Sequence, residues 1–387
     1  MSEDARIREI TAAGAGADEV DELLAYNANH FDVDNLAEIP GFPLDDEPMV
    51  DCWRGWAEEA ESAGAVATLR RYLPQLSFPV ADGMSQHPDY RKATLSGAPA
   101  AELDAATGLE LQAPDRVELK LYPSLAGRIP VLEIRDRATF LTLVQALSAR
   151  NEPRPVPESM GAQMIGGFNN WHRIHAHQRR WLDTPAGDRG HATWPEAFAD
   201  LRRQKDQYQD RFILLSDGPY SAVDAAELGL DDGTWRRKSL VIRREHECTH
   251  YFTRRVFGSM RANLLDELLC DYAGIVAAEG RFRGDWFLRF VGLEDYPTYR
   301  RGGRLENYLG DPPLTDGAFR ALQTLVVRAT ANLERFDRDE GEGEREPRRR
   351  ALILAALATQ RLDELASEEG VDTLRRALDD LDQRFPG

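Results

Sequence analysis

Two histidines and a glutamate are spaced for metal chemistry within Arg243-Arg244-Glu245-His246-Glu247-Cys248-Thr249-His250-Tyr251-Phe252. His246 and His250 frame the pattern H-E-x-x-H. Residues four apart on an α-helix lie on one face, so both imidazoles point the same way and can share one ion. Glu247 projects about a quarter turn away and reaches a water held by the ion instead of the ion itself. That is the arrangement of a zinc-activated water with its general base. Chance alone produces the pattern in about one chain in a hundred of this length, so the flanking sequence has to carry weight.

It does so in two places. Residues 239–257 read as a helix stopped by Gly258, with Val241, Ile242, Cys248, Phe252 and Val256 as an apolar stripe beside the histidine face. The next helical stretch, Leu264-Leu265-Asp266-Glu267-Leu268-Leu269-Cys270-Asp271-Tyr272, buries its leucines on one side. Glu267 and Asp271, four apart, share another flank with the small residues Gly274 and Ala278. Two acids on a packed flank are costly unless a cation sits opposite. Glu267 is therefore assigned as third ligand and Asp271 as the acceptor that orients a ligating imidazole through its other ring nitrogen. Asp266 or Glu279 takes the place of Glu267 if the helices are set differently. Cys270 borders the same flank and could approach the ion, whereas Cys248 reads as core.

H-E-x-x-H followed on the next helix by E-x-x-x-D resembles the gluzincin group of zinc metallopeptidases, over about residues 238–280. The resemblance implies one Zn2+ held by His246, His250 and Glu267, with Glu247 as general base and Asp271 as orienting residue. It also implies a zincin-like α+β core, in which a small sheet packs on the metal-binding helices and its edge strand holds the substrate. The sixteen residues between His250 and Glu267 make a short spacing for that group.

The chemistry so implied is attack of an activated water on an amide or peptide carbonyl, Glu247 passing the proton to the leaving amine. An oxyanion would need a donor, and Arg243, Tyr220 and His172 are the candidates; Arg243 could equally hold a substrate carboxylate or pair with Asp271 or Glu267. His172, His175 and His177 follow the small-residue run 160–167 and could form a second metal site or sit on a surface helix. Two alternatives keep the metal: a lyase or cyclase using the same His/His/Glu ion on a small molecule, and a non-catalytic protein whose zinc only ties two helices together.

The elements that position these residues divide into three expected regions. Residues 1–75 read as acidic helices, 115–300 as the catalytic core, and 315–387 as a C-terminal helical region. Strands are expected at 117–121, 129–134 and 212–216, the last as the edge strand, and a helix at 138–149. Thr315 is the N-cap expected for a long helix to about Phe336.

Composition sets the outer limits. With 48 basic and 66 acidic residues among 387, the net charge of −18 leaves no basic surplus for nucleic acid. The longest apolar run, residues 351–358, is too short for a bilayer, and the start of the chain lacks a basic-then-apolar export signal. Three cysteines build no disulfide framework. The expectation is a cytoplasmic hydrolase, a metallopeptidase or amidase acting on a restricted peptide or small amide substrate.

Overall fold

The computed structural model describes residues 1–343 and 345–386. In chain order the main elements are α1 Glu3–Ala12, α2 Ala17–Tyr26, α3 Val50–Ala63, β1 Val117–Ser124, β2 Gly127–Ile134, α4 Arg137–Leu147, β3 Ala162–Asn169, α5 Trp171–Asp183, β4 Gln209–Ser216, α6 Asp232–Phe257, α7 Asn263–Glu279, α8 Gly284–Val291, α9 Asp316–Asp339, α10 Pro347–Ala358 and α11 Gly370–Arg384. The protein is of the α+β class. Among the described residues no helix is long and apolar enough to cross a membrane.

The chain divides into two units by its own contacts, one of Met1–Leu44, Ser124–Ala126 and Pro219–Gly387, the other of Asp45–Pro123 and Gly127–Gly218. This differs from the three expected regions, and the reason lies in long-range pairing. In the first unit Arg6 pairs with Asp363 at 2.6 Å, the N-terminal amine with Glu364 at 2.9 Å, and Asn29 donates to the carbonyls of Ala358 and Gln360. The first forty-four residues are thereby tied to the C-terminal helices, and both to α6 and α7. From Asp45 onward the chain joins the sheet, where the Trp53 indole donates to Asp210 at 2.7 Å.

The sheet unit has strand order β1-β2-β4-β3. β2 runs parallel to β4, with Val131 opposite Ile213, and β3 runs antiparallel to it, with Met164 also opposite Ile213. One correction follows. The strand 212–216, expected at the edge, is internal, because the stretch 162–169, rich in small residues, is itself a strand and covers it. A bulge between Ile165 and Phe168 absorbs the glycines there. The core of this unit comes from its own helices and strands, with Trp53, Phe140, Leu143, Phe212 and Leu214 buried together.

In the other unit α6 is capped by Asp231, whose carboxylate accepts from the Thr234 N–H at 2.9 Å, and is stopped by Gly258, with φ of 69°. Tyr251, Phe252, Val256 and Phe257 are buried on its apolar side. α7 buries Leu264, Leu265, Leu268, Leu269 and Ile275 and stops at Gly280, with φ of 74°. The two helices approach closely at Gly274, where an added Cβ would lie 2.6 Å from the Ile242 carbonyl oxygen. A second tie is the Glu245–Arg350 ion pair at 2.7 Å, which holds α6 to α10. Thr315 caps α9 by accepting from the Ala318 N–H, and the helix runs on to Asp339.

The close approach is testable. Gly274→Ala should cost about 1–3 kcal/mol in urea unfolding because backbone lies where the methyl must go. Gly55→Ala, in α3 with open space around the new Cβ, should instead stabilise by about 0.4–1 kcal/mol. A neutral Gly274→Ala would show that the helix spacing is not set there.

Candidate metal centre

His246 and His250 lie on one face of α6, their ring centroids 4.8 Å apart. Both are largely buried, so their orientation is fixed by protein partners. The Nδ1 of His246 is 2.9 Å from Asp271 Oδ1, and the Nδ1 of His250 is 2.9 Å from Asp266 Oδ2. An ionised carboxylate only accepts, so each Nδ1 is the donor, and in the neutral imidazole the lone pair is on Nε2. Those two Nε2 atoms face one carboxylate: His246 Nε2 is 3.6 Å from Glu267 Oε2 and His250 Nε2 is 3.7 Å from Glu267 Oε1. Two ligand atoms about 2.0–2.1 Å from a tetrahedral zinc stand roughly 3.3 Å apart. The spacing found is a few tenths of an ångström wider, and the donor set is two imidazole nitrogens and a carboxylate.

Asp271 is fully buried and has three partners. Oδ1 accepts from His246 and, at 2.5 Å, from the Tyr220 hydroxyl, while Oδ2 pairs with Arg304. Burial alone would raise its carboxyl, but Arg304 and the hydrogen bond from His246 hold it below the usual carboxylate range. Burial likewise opposes charge on His250, yet the facing Cys270 and Asp266 carry its pKa well above the usual imidazole value. Cys270 Sγ lies 3.4 Å from His250 Nδ1. Burial pushes its thiol well up, offset only in part by His250, and a thiol is a poor ligand until it loses its proton. Among the described residues the groups close enough to share a cation are His246, His250 and Cys270, and His250, Asp266 and Glu267.

The residues singled out in the sequence are distributed as follows. His246, His250, Glu267 and Asp271 come together. Asp266 meets His250 at Nδ1, and Glu279 pairs with Lys238 and Arg283. Glu247 is half-buried and, among the described residues, forms no hydrogen bond or ion pair. Tyr220, expected as an oxyanion donor, gives its hydroxyl to Asp271, accepts from Arg304 at 2.9 Å and lies 2.9 Å from His246 Nδ1. Arg243 lies close by. It donates to the Pro219 carbonyl at 3.0 Å and lies over the Tyr220 ring, and the cation that meets Asp271 is Arg304. His172 and its neighbours lie on α5 in the sheet unit. His172 packs edge-on against Tyr72 and Trp56, and His177 meets Arg180 and the Gln207 carbonyl. Among the described residues no cation-sized group forms around them.

Two residues of the site carry no signal in the sequence, Arg304 and Tyr308. Tyr308 donates to Glu267 Oε2 at 2.6 Å. Both lie in a stretch that reads as loop, 296–311, where a short 3₁₀ turn, Arg304–Tyr308, forms. No periodicity or motif marks it, and their four-residue spacing is the only hint.

Two adjacent helices thus offer buried histidine, cysteine and carboxylate groups that could hold a cation. The chain belongs to a family of unknown function, DUF7005, whose profile matches residues 8–369. No curated protein and no solved structure matches it.

Asp271 and Arg304 form a buried pair, and removing one charge leaves the other without compensation. Asp271→Asn should lower unfolding stability by about 3–5 kcal/mol in urea. A loss below about 1 kcal/mol would mean that the pair behaves like an exposed one.

Proposed function

We propose that this protein is a zinc-dependent hydrolase that cleaves an amide or peptide bond. The observation that carries the reading is the convergence of His246 Nε2, His250 Nε2 and the Glu267 carboxylate, each imidazole being held from behind by its own aspartate. These donors suit zinc: two neutral imidazoles and one carboxylate are a common catalytic set, and such sets keep a position open for water.

Zinc, when bound, lowers the pKa of a water and polarises a carbonyl oxygen. The chain's own residues do the rest. Asp271 and Asp266 keep the proton on each Nδ1 and so present each Nε2 to the ion. Glu247, next to His246 and with no partner among the described residues to occupy its carboxylate, accepts the proton of the attacking water and returns it to the leaving nitrogen.

A second reading, a purely structural ion, is favoured by Cys270, which stands beside His250 and would help to close the site. The two differ in which nitrogen of His250 the ion takes. Glu267 is on the Nε2 side, whereas Cys270 and Asp266 are on the Nδ1 side.

Elemental analysis of the purified chain should find one zinc per molecule, retained in Glu247→Gln and Cys270→Ser and lost in His246→Ala. A peptide and amide library read by mass spectrometry should show cleavage by the native chain. In Glu247→Gln the rate should fall about 10²–10⁴-fold. Undiminished cleavage by Glu247→Gln rules out the base role, and loss of zinc in Cys270→Ser favours the structural ion.

A further inference from the structure

The Arg304–Tyr308 turn meets α7 at two points with matching spacing. Arg304 and Tyr308 are four apart, and so are the acids they touch, Asp271 and Glu267. One side chain reaches the carboxylate behind His246, the other the carboxylate that faces both Nε2 atoms. We propose that this turn is a clip that presets both acids before an ion arrives, Tyr308 positioning Glu267 and Arg304 positioning Asp271. The inference rests on the reading of His246, His250 and Glu267 as metal ligands.

The turn is built to hold its place. Leu305, between the two prongs, is fully buried. Gly303, at the start, packs against the end of α8 so closely that a Cβ would lie 2.7 Å from both Gly292 Cα and the Val291 carbonyl oxygen. The Gly303 carbonyl accepts from the Tyr299 hydroxyl at 2.9 Å. The backbone carbonyl of Tyr308 accepts from the Tyr26 hydroxyl at 2.6 Å. From that base Arg304 spreads its fork over three acceptors, Asp271 Oδ2, the Tyr220 oxygen and, at 3.0 Å, Ser221 Oγ. A lysine carries the same charge but not the planar fork.

A glutamate side chain free to rotate loses rotamer freedom on ligating an ion. One already fixed by Tyr308 loses less, so the clip should appear as zinc affinity. Partners of this kind change affinity about 10–100-fold when removed.

The test is zinc titration against a competing chelator for the native chain, Tyr308→Phe, Arg304→Lys and a control, Tyr299→Phe, which loosens the same loop away from the acids. Cobalt(II) absorption is recorded for each as a signature of ligand geometry. The clip predicts zinc binding about 10–100-fold weaker in Tyr308→Phe and Arg304→Lys, with an altered cobalt spectrum. Tyr299→Phe should stay within about twofold of native, its spectrum unchanged. Tyr308→Phe removes a single oxygen and keeps the ring, so it decides the question if Arg304→Lys fails to fold. Native affinity in Tyr308→Phe, or an equal loss in Tyr299→Phe, overturns the clip and leaves the metal reading standing. A native chain that binds no zinc overturns the metal reading and the clip with it.

Discussion

An imidazole offers two nitrogens, and which one is free depends on what holds the other. Here α7 decides for both histidines of α6. Asp271 takes the Nδ1 of His246, Asp266 takes the Nδ1 of His250, and Glu267, between them in sequence, faces both Nε2 atoms. All three acids come from six consecutive residues of one helix, so one helix–helix register sets the whole arrangement. A shift of α7 along α6 by one residue would break every contact together. The close approach at Gly274 and Ile242 is one of the features that fix that register.

Concentrating acids on one helix has a cost, and the surrounding structure offsets it with cations drawn from far along the chain. Arg304 meets Asp271, and Arg350 meets Glu245 on the reverse side of α6. Farther along α7, the Tyr272 hydroxyl donates to Asp337 at 2.7 Å, and Asp337 pairs with Arg345 at 2.8 Å. Buried pairs of this sort add little net stability over apolar packing but penalise heavily any arrangement that separates them. A register that separated them would strand buried charges. The helices at both ends of the chain join the same unit, through Arg6 and Asp363 and through Tyr26 and the Tyr308 carbonyl. The site and its supports therefore draw on residues far apart in the sequence but within one unit.

How much of this is legible in the sequence depends on whether a signal is local. The i, i+4 spacing of His246 and His250, the stop at Gly258, and the acids of α7 among its leucines are local patterns, and they place two helices and four side chains. Alternation at Val117, Leu119 and Leu121 marks β1, and short apolar runs mark β2 and β4, for the same reason. What stays hidden is non-local. The stretch 162–169 is a strand because it covers β4, and its glycines obscure the alternation. Arg304 and Tyr308 sit in a short turn whose role exists only because α7 lies opposite. Helix face and residue type are the only guides to Arg243 and Tyr220 in the sequence, and neither criterion can reveal that the Pro219 carbonyl and Asp271 claim them.

The proposed chemistry depends on where the cation sits. The direct measurement is anomalous diffraction at the zinc edge from crystals of the native chain grown with zinc. The account predicts one peak within about 2.0–2.2 Å of His246 Nε2, His250 Nε2 and a Glu267 oxygen, with Cys270 and Asp266 outside the coordination sphere. A peak on the Nδ1 side of His250 against Cys270, or no peak between the two helices, would contradict it.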